Sequence, residues 1–343
     1  MMRLPLSWLL AFTTAALALL LLGSLATGPM TLPLGESLRA LFAGQESGIE
    51  SHKLLIVREI RLPRTLLCIA VGGILGLCGA VMQGLFRNPL ADPGIIGVSG
   101  GAALGAALAI VLLAPLGQQL QATIGVGLLP LLAFLGGALT TTLVYLLGTR
   151  EGGTSVTVML LAGVAITALS GAVIGLLTYL ADDQMLRNLS LWQMGTLAAG
   201  KPADVALALL TLAALLWLFM RDANPLNALL LGEGEARHLG VNVQSLKRRL
   251  ILLTAAGVGV AVAVSGMIGF VGLVVPHLVR LLAGPNHVRL LPLSALLGAA
   301  LLLAADMLAR TLLAPAELPV GIITALLGAP FFIWLLVKGR RAL

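Results

Sequence analysis

Residues 61–102 read RLPRTLLCIAVGGILGLCGAVMQGLFRNPLADPGIIGVSGGA. From Thr65 to Leu85 the chain is uncharged and mostly apolar. A run of that length, wound as an α-helix, is long enough to cross the hydrocarbon core of a bilayer. It then breaks at Asn88-Pro-Leu-Ala-Asp-Pro93-Gly94 and a second apolar run begins. Two prolines end helices, and Asn and Asp cap new ones, so the break reads as a tight, specific turn. Small residues four apart recur through the stretch: Gly72/Gly76, Gly97/Gly101 and Gly101/Gly105, with Gly171/Gly175 further on. Such pairs let helix backbones approach closely in lipid, and packing is the expectation for all of them.

The pattern continues outward in both directions. Of 343 residues 59% are hydrophobic and only 10% charged, against about 25% charged in soluble domains. Mean hydropathy is +1.06. Ten apolar runs are expected to span a membrane: 7–27, 63–85, 94–113, 124–147, 155–180, 203–220, 249–265, 270–283, 291–311 and 321–338. The eighth is short and is expected to begin inside protein, where irregular backbone is tolerated. Long runs with short connections argue for an all-α integral membrane protein; a membrane barrel shows weak alternating segments of about ten residues. The first run is read as an uncleaved span, being longer than a usual signal-peptide core; a signal peptide is the rival reading. A net charge of +7 does not indicate nucleic acid here, because no basic stripe carries interleaved aromatics. Thirteen of the 21 basic residues fall on one side when the N-terminus is placed inside. This matches the positive-inside bias and puts both termini in the cytoplasm. Cys68 and Cys78, about 280° apart around one helix, read as small packing residues.

One domain, 1–343, is expected. It carries an outer loop over about 28–61 and an inner loop over about 221–248. The inner loop, RDANPLNALLLGEGEARHLGVNVQSLKR, suggests two short helices, the second stopped at Gly240, and a docking platform. Gly195–Pro202 nearly matches a phosphate-binding loop, but Pro202 replaces the required hydroxyl. Any ATPase must therefore be a separate subunit. His52, His238, His277 and His287 have no metal-ligand spacing; His277 reads as a hydrogen-bonded packing residue. Asp306 and Arg310 stand at i,i+4 within an apolar run and can pair; a functional charge is the other reading. Arg61 and Arg64 at an outer mouth suit an acidic partner, an anionic substrate or interfacial snorkelling. Two blocks, GLCGAVMQGLFRNPLADPG and AVSGMIGFVGLVVPH, hint at weak inverted repeats. A buried-carboxylate series that would mark an ion-coupled secondary transporter is absent beyond Asp306, and no catalytic constellation appears.

The segments RLPRTLLCIAVGG, CGAVMQGLFRNPLADPGIIGVSGGA, LLAGVAI, LWQMGTL, LLGEGEARHLGV, SGMIGFVGLVVPHLVRLLAG, LLLAADMLAR and AELPVGIITALLGAPFFIWLL closely resemble the permease family that imports iron siderophores, heme and vitamin B12. The resemblance covers almost the whole chain. It implies a vitamin B12 permease-like fold of ten helices and a type II importer in the bacterial inner membrane. The implied assembly is two copies of the chain, two ATPase subunits binding ATP and Mg, and a periplasmic binding protein. By resemblance, Arg61, Arg64 and Arg310 dock glutamates of the binding protein. Gly232, Glu233, Glu235, Ala236, Arg237 and Gly240 couple to the ATPase, and Asn88, Leu90, Thr154 and Ser155 form a cytoplasmic gate. No cofactor is implied in the chain itself. Heme is the expected cargo, with ferric siderophore or cobalamin as alternatives; Met82, Met159, Met185 and Met194 would suit a flat apolar ligand.

Overall fold

The computed structural model describes residues 5–42, 50–114, 116, 127–150, 153–198 and 200–340. Arg3, Glu46 and Arg341 lie outside them. Among the described residues, seven helices are long and apolar enough to cross a membrane: α1 (Leu6–Ala26), α3 (Ser51–Leu85), α5 (Leu128–Gly148), α6 (Val156–Leu180), α8 (Pro202–Arg221), α11 (Val243–Ser265) and α13 (His287–Thr311). Three shorter apolar helices complete the series: α4 (Val98–Val111), α12 (Val271–Ala283) and α14 (Val320–Arg340). All ten expected runs form helices over their described residues. Among the described residues four further α-helices lie between them, α2 (Leu34–Phe42), α7 (Asp183–Gln193), α9 (Ala223–Leu230) and α10 (Glu233–His238), with a 3-10 turn over Pro93–Ile96. A two-residue hairpin, β1 (Thr149–Arg150) and β2 (Gly153–Thr154), is the one departure from an all-helical description among those residues.

Helix α3 is the axis of the molecule. It starts within the stretch expected to be an outer loop, because residues 51–61 continue the span rather than precede it. The turn Ile56–Arg61 is π-helical. Pro63 explains this: it has no N–H, and its ring crowds the carbonyl one turn back, so the preceding turn widens. Downstream α3 is buried almost throughout. It is buried because glycines let its neighbours touch its backbone. A Cβ on Gly72 would strike the carbonyl of Gly298, one on Gly298 the carbonyl of Gly72, and one on Gly76 the carbonyl of Ser294. Helices α3 and α13 therefore meet backbone to backbone. A Cβ on Gly79 would likewise strike Gly272 of α12. Gly101 and Gly105 of α4 lie in the same way against Gly136 and Leu132 of α5. Gly171 and Gly175 differ from expectation: a Cβ there meets nothing within 4 Å, because that face of α6 points away from the rest of the chain. Cys68 and Cys78 are free and buried, as packing residues should be.

The short helix α12 is preceded by a break at 266–270, where Gly266 (φ 69°) and Phe270 (φ 67°) take left-handed conformations. Exposed backbone groups at membrane depth are costly, so they need partners. Here the residues after α7 supply them. Thr196 N–H donates to Ser265 O (2.8 Å), Met267 N–H to Trp192 O (3.4 Å), and Gly321 N–H to Met194 O (3.1 Å). The break, the end of α7 and the start of α14 are thus joined.

Candidate functional site

Polar side chains gather at the two ends of the bundle. At the first end α1 finishes against α3 and α13. The last carbonyls of any helix lack internal partners. Arg61 fills that role: its guanidinium donates to Leu25 O (2.6 Å), Ala26 O (2.9 Å) and Met30 O. Arg310 adds Nη2 to Ser24 Oγ (2.8 Å), and Ser24 Oγ also lies 2.7 Å from Thr65 Oγ1. Asp306, fully buried, sits between two cations. Arg64 Nη2 is 2.9 Å and Arg310 Nε 3.0 Å from its carboxylate. The i,i+4 pairing of Asp306 and Arg310 read from the sequence is thus present. Arg64 also reaches Glu317 Oε2 at 2.7 Å, a carboxylate 35% exposed.

The three arginines expected at a docking mouth are therefore clustered, as their spacing could not reveal, but they are inside. Arg61, Arg64 and Arg310 are only 4%, 5% and 2% exposed. Their charge is engaged by the chain's own carbonyls and carboxylates. Glu317, which the sequence reading passed over, is the part of this network nearest to solvent.

At the opposite end the stretch 221–248, expected to be an inner loop, forms α9, α10 and the first turns of α11. The two short helices expected there are present, and Gly240 (φ 81°) stops the second with a left-handed residue. Ala236 is buried, while Glu235, Arg237 and Gly240 are exposed and Gly232 and Glu233 half-buried. Exposed Leu231 and Leu239 flank the charged turn, so α10 offers a small mixed surface. Asn88 is exposed and its Oδ1 accepts from Leu90 N–H (2.9 Å), shaping the turn after α3. Thr154 is buried in β2, and Ser155 is exposed as the N-cap of α6. Cross-links bind this end. Asn227 Oδ1 accepts from His287 N–H (2.8 Å), Arg249 Nε donates to Asp222 (2.8 Å), and Arg280 Nη1 donates to Gln83 Oε1 (3.0 Å).

Between the ends lies a cavity of about 420 Å³, bounded by the 92–99 turn, the 266–270 break and the start of α14. Asp92, Ser99, Gln193, Met194, Met267 and Phe270 line it. Burial pushes the Asp92 carboxyl above its usual range, opposed by the N–H of Gly94 at 2.7 Å. Of the four methionines thought to suit an apolar ligand, Met194 faces this cavity, whereas Met82 and Met159 are fully buried core. They fill gaps between helices, which methionine does well. His277 also departs from expectation: its ring meets Phe331 edge-on at 6.1 Å, and its buried Nδ1 has no hydrogen-bond partner among the described residues. Gly195 follows a helix rather than a strand, which removes the phosphate-loop reading on structural grounds as well. Among the described residues no cluster of His, Cys, Asp and Glu could hold a metal.

Comparison with known proteins gives consistent relatives. The FecCD transport family is matched over residues 16–338. The chain is 47% identical over 336 residues to the hemin transport system permease protein HmuU of Yersinia pestis, covering 97% of this chain and 96% of that protein. It is 44% identical over 297 residues to the cobalamin import system permease protein BtuC of Halobacterium salinarum, covering 87% and 77%. Among solved structures, one described as an inward-facing metal-chelate type ABC transporter is similar with a TM-score of 0.82 and 34% identity, over 97% of this chain and 99% of that one. PsaBC from Streptococcus pneumoniae shares the fold, with a TM-score of 0.58 and 20% identity over 81% and 91%.

Proposed function

This chain belongs to the FecCD transport family, and from that premise we propose that it passes heme from a periplasmic binding protein to the cytoplasm. It is a multi-pass membrane protein and a permease subunit of an ABC importer, not an enzyme in its own right. The likeness to the hemin permease over nearly the full length of both chains carries the choice of heme. Cobalamin is the second reading, favoured by the similarity to the archaeal cobalamin permease; a ferric siderophore is a third. A secondary transporter is less apt. Its coupling ion would need a free intramembrane carboxylate, and Asp306 is held by two arginines.

In this reading two copies of the chain stand in the bacterial inner membrane with both termini in the cytoplasm. Two ATPase subunits, which bind ATP and Mg, dock on the surface formed by Gly232, Glu233, Glu235, Ala236, Arg237 and Gly240. The turns carrying Asn88 and Leu90 and carrying Thr154 and Ser155 form the gate nearby. Stretch 28–61, whose residues from Ser51 onward open the long helix α3, stands on the periplasmic side, where the binding protein presents glutamates to Arg61, Arg64 and Arg310. Since those arginines are buried and engaged, docking proceeds by exchange: an incoming carboxylate takes the place of Glu317 on Arg64. ATP closure then moves the docked helices and switches an outward-open to an inward-open path.

The test is ATP-dependent uptake in proteoliposomes holding the permease, its ATPase and its binding protein, with heme, a ferric hydroxamate and cobalamin offered in parallel. Saturable heme uptake is expected, lost in Arg61→Glu with Arg64→Glu and in Glu235→Arg. Uptake of another chelate instead of heme would discard the cargo and keep the mechanism. Uptake by the permease alone without ATP would overturn the mechanism.

A further inference from the structure

Lys247 lies in the second turn of α11, only 2% exposed. A lysine ammonium is almost never this buried unless it is paired. Here Nζ donates to Glu233 Oε1 at 2.7 Å and to the carbonyl of Thr154 at 3.0 Å. Glu233 opens α10, whose outer face carries Glu235 and Arg237. Thr154 belongs to β2, directly before α6. One cation therefore holds the docking helix and the hairpin at the head of a membrane span, from a third element. Its neighbour Gln244 completes the grip on the hairpin, accepting from Thr154 N–H at 3.2 Å, so both backbone groups of Thr154 are bound to α11. The other cross-links at this end run elsewhere: Asn227 ties α9 to α13, and Arg249 ties α11 to Asp222 at the end of α8.

We propose that Lys247 is the positioning residue through which displacement of the ATPase-docking helix α10 reaches strand β2 and the gate residues Thr154 and Ser155. This rests on the reading of 232–240 as the docking surface and of Thr154 and Ser155 as part of the gate. The physical basis is differential stiffness. A charge-assisted bond is strong and short, and Lys247, itself buried, makes one to the partly exposed Glu233 of the helix that is pushed and shares its remaining donors with the loop that must follow. When α10 shifts, Glu233 carries the ammonium with it, and the ammonium draws the Thr154 carbonyl. Without the ammonium, α10 and the hairpin keep no direct polar link through this position, and each is free to move alone.

The experiment uses the complete complex of permease, ATPase subunits and binding protein in proteoliposomes. Ser155→Cys, exposed at the head of α6, is labelled with a water-soluble maleimide in the nucleotide-free state and after trapping with ATP and vanadate. In the otherwise wild-type complex the two states are expected to differ in labelling rate by at least about fivefold, the low end of ordinary coupling between sites. Lys247→Met is expected to abolish that contrast while ATP hydrolysis continues near the wild-type rate. Lys247→Gln, which keeps the size and polarity but not the charge, is expected to do the same and stands in if the methionine variant does not assemble. Lys247→Arg is expected to restore the contrast. A contrast that persists in both uncharged variants overturns the proposal. So does a parallel fall in hydrolysis and contrast, because that marks damage to docking or folding rather than a lost transmission. Glu235→Arg separates the underlying reading: if that variant keeps its ATPase subunits and full hydrolysis, 232–240 is not the docking surface.

Discussion

At Asp306 two guanidinium groups share one carboxylate inside the bundle, and the energetics of this end of the molecule follow from that sharing. Removing one member of a buried ion pair strands its partner's charge, at a cost of about 3–5 kcal/mol. Asp306→Asn strands Arg310 and leaves Arg64 only the half-solvated Glu317. Thermal unfolding in detergent is expected to show a loss of at least that size. Glu317 is different, because it is partly solvated and its loss leaves Arg64 still paired with Asp306. Glu317→Gln is expected to leave the melting temperature nearly unchanged and to tighten capture of the binding protein severalfold in a surface-binding assay. Weaker capture would mean that Glu317 assists docking rather than standing in its way. Among the described residues Arg61 bonds to backbone carbonyls rather than to a carboxylate, and it serves as a cap for α1.

Elements were legible where their chemistry is local. All ten apolar runs became helices, since length and hydropathy decide a membrane span without reference to the rest of the chain. The elements that escaped are those set by context. Helix α7 mixes Asp183, Arg187 and Asn188 with leucines and has no span-like run; its ending is fixed by bonds to the 266–270 break. The extension of α3 through 51–61 carries Lys53, Arg58 and Glu59, which read as loop until the π-helical turn before Pro63 is seen. The site shows the same division. The motif residues could be picked out, but the burial of Arg61, Arg64 and Arg310 depends on α1 and α13, far away in sequence. Small-residue pairs also look alike in sequence and differ in space. Gly76→Leu would drive a side chain into the backbone of α13 and is expected to cost well over the usual 1–3 kcal/mol of overpacking, read as failed assembly or a large drop in melting temperature. Gly171→Leu, on the open face of α6, is expected to leave the unfolding of the chain unchanged.

For the molecule as a whole, the separation of two polar ends by an apolar middle makes orientation testable. Leu239 just after α10 and Phe42 at the end of α2 are both exposed. Leu239→Cys is expected to react with an impermeant thiol reagent only in inside-out vesicles, and Phe42→Cys only in right-side-out ones; the opposite result would invert the topology. The close contact of α3 with α13 and α12 has a consequence in another currency, that of inheritance. Every single-base change that alters a glycine codon's meaning installs a side chain or a stop. At Gly72, Gly76, Gly79 and Gly298 there is no room for even the smallest of them, since the first added carbon meets a neighbour's main chain. No such bar stands within the chain at Gly35, Gly171, Gly175 and Gly234, where that carbon meets open space. At the axis lineages carrying this protein are held to one letter, and the spine of the permease will change only when two helices change together.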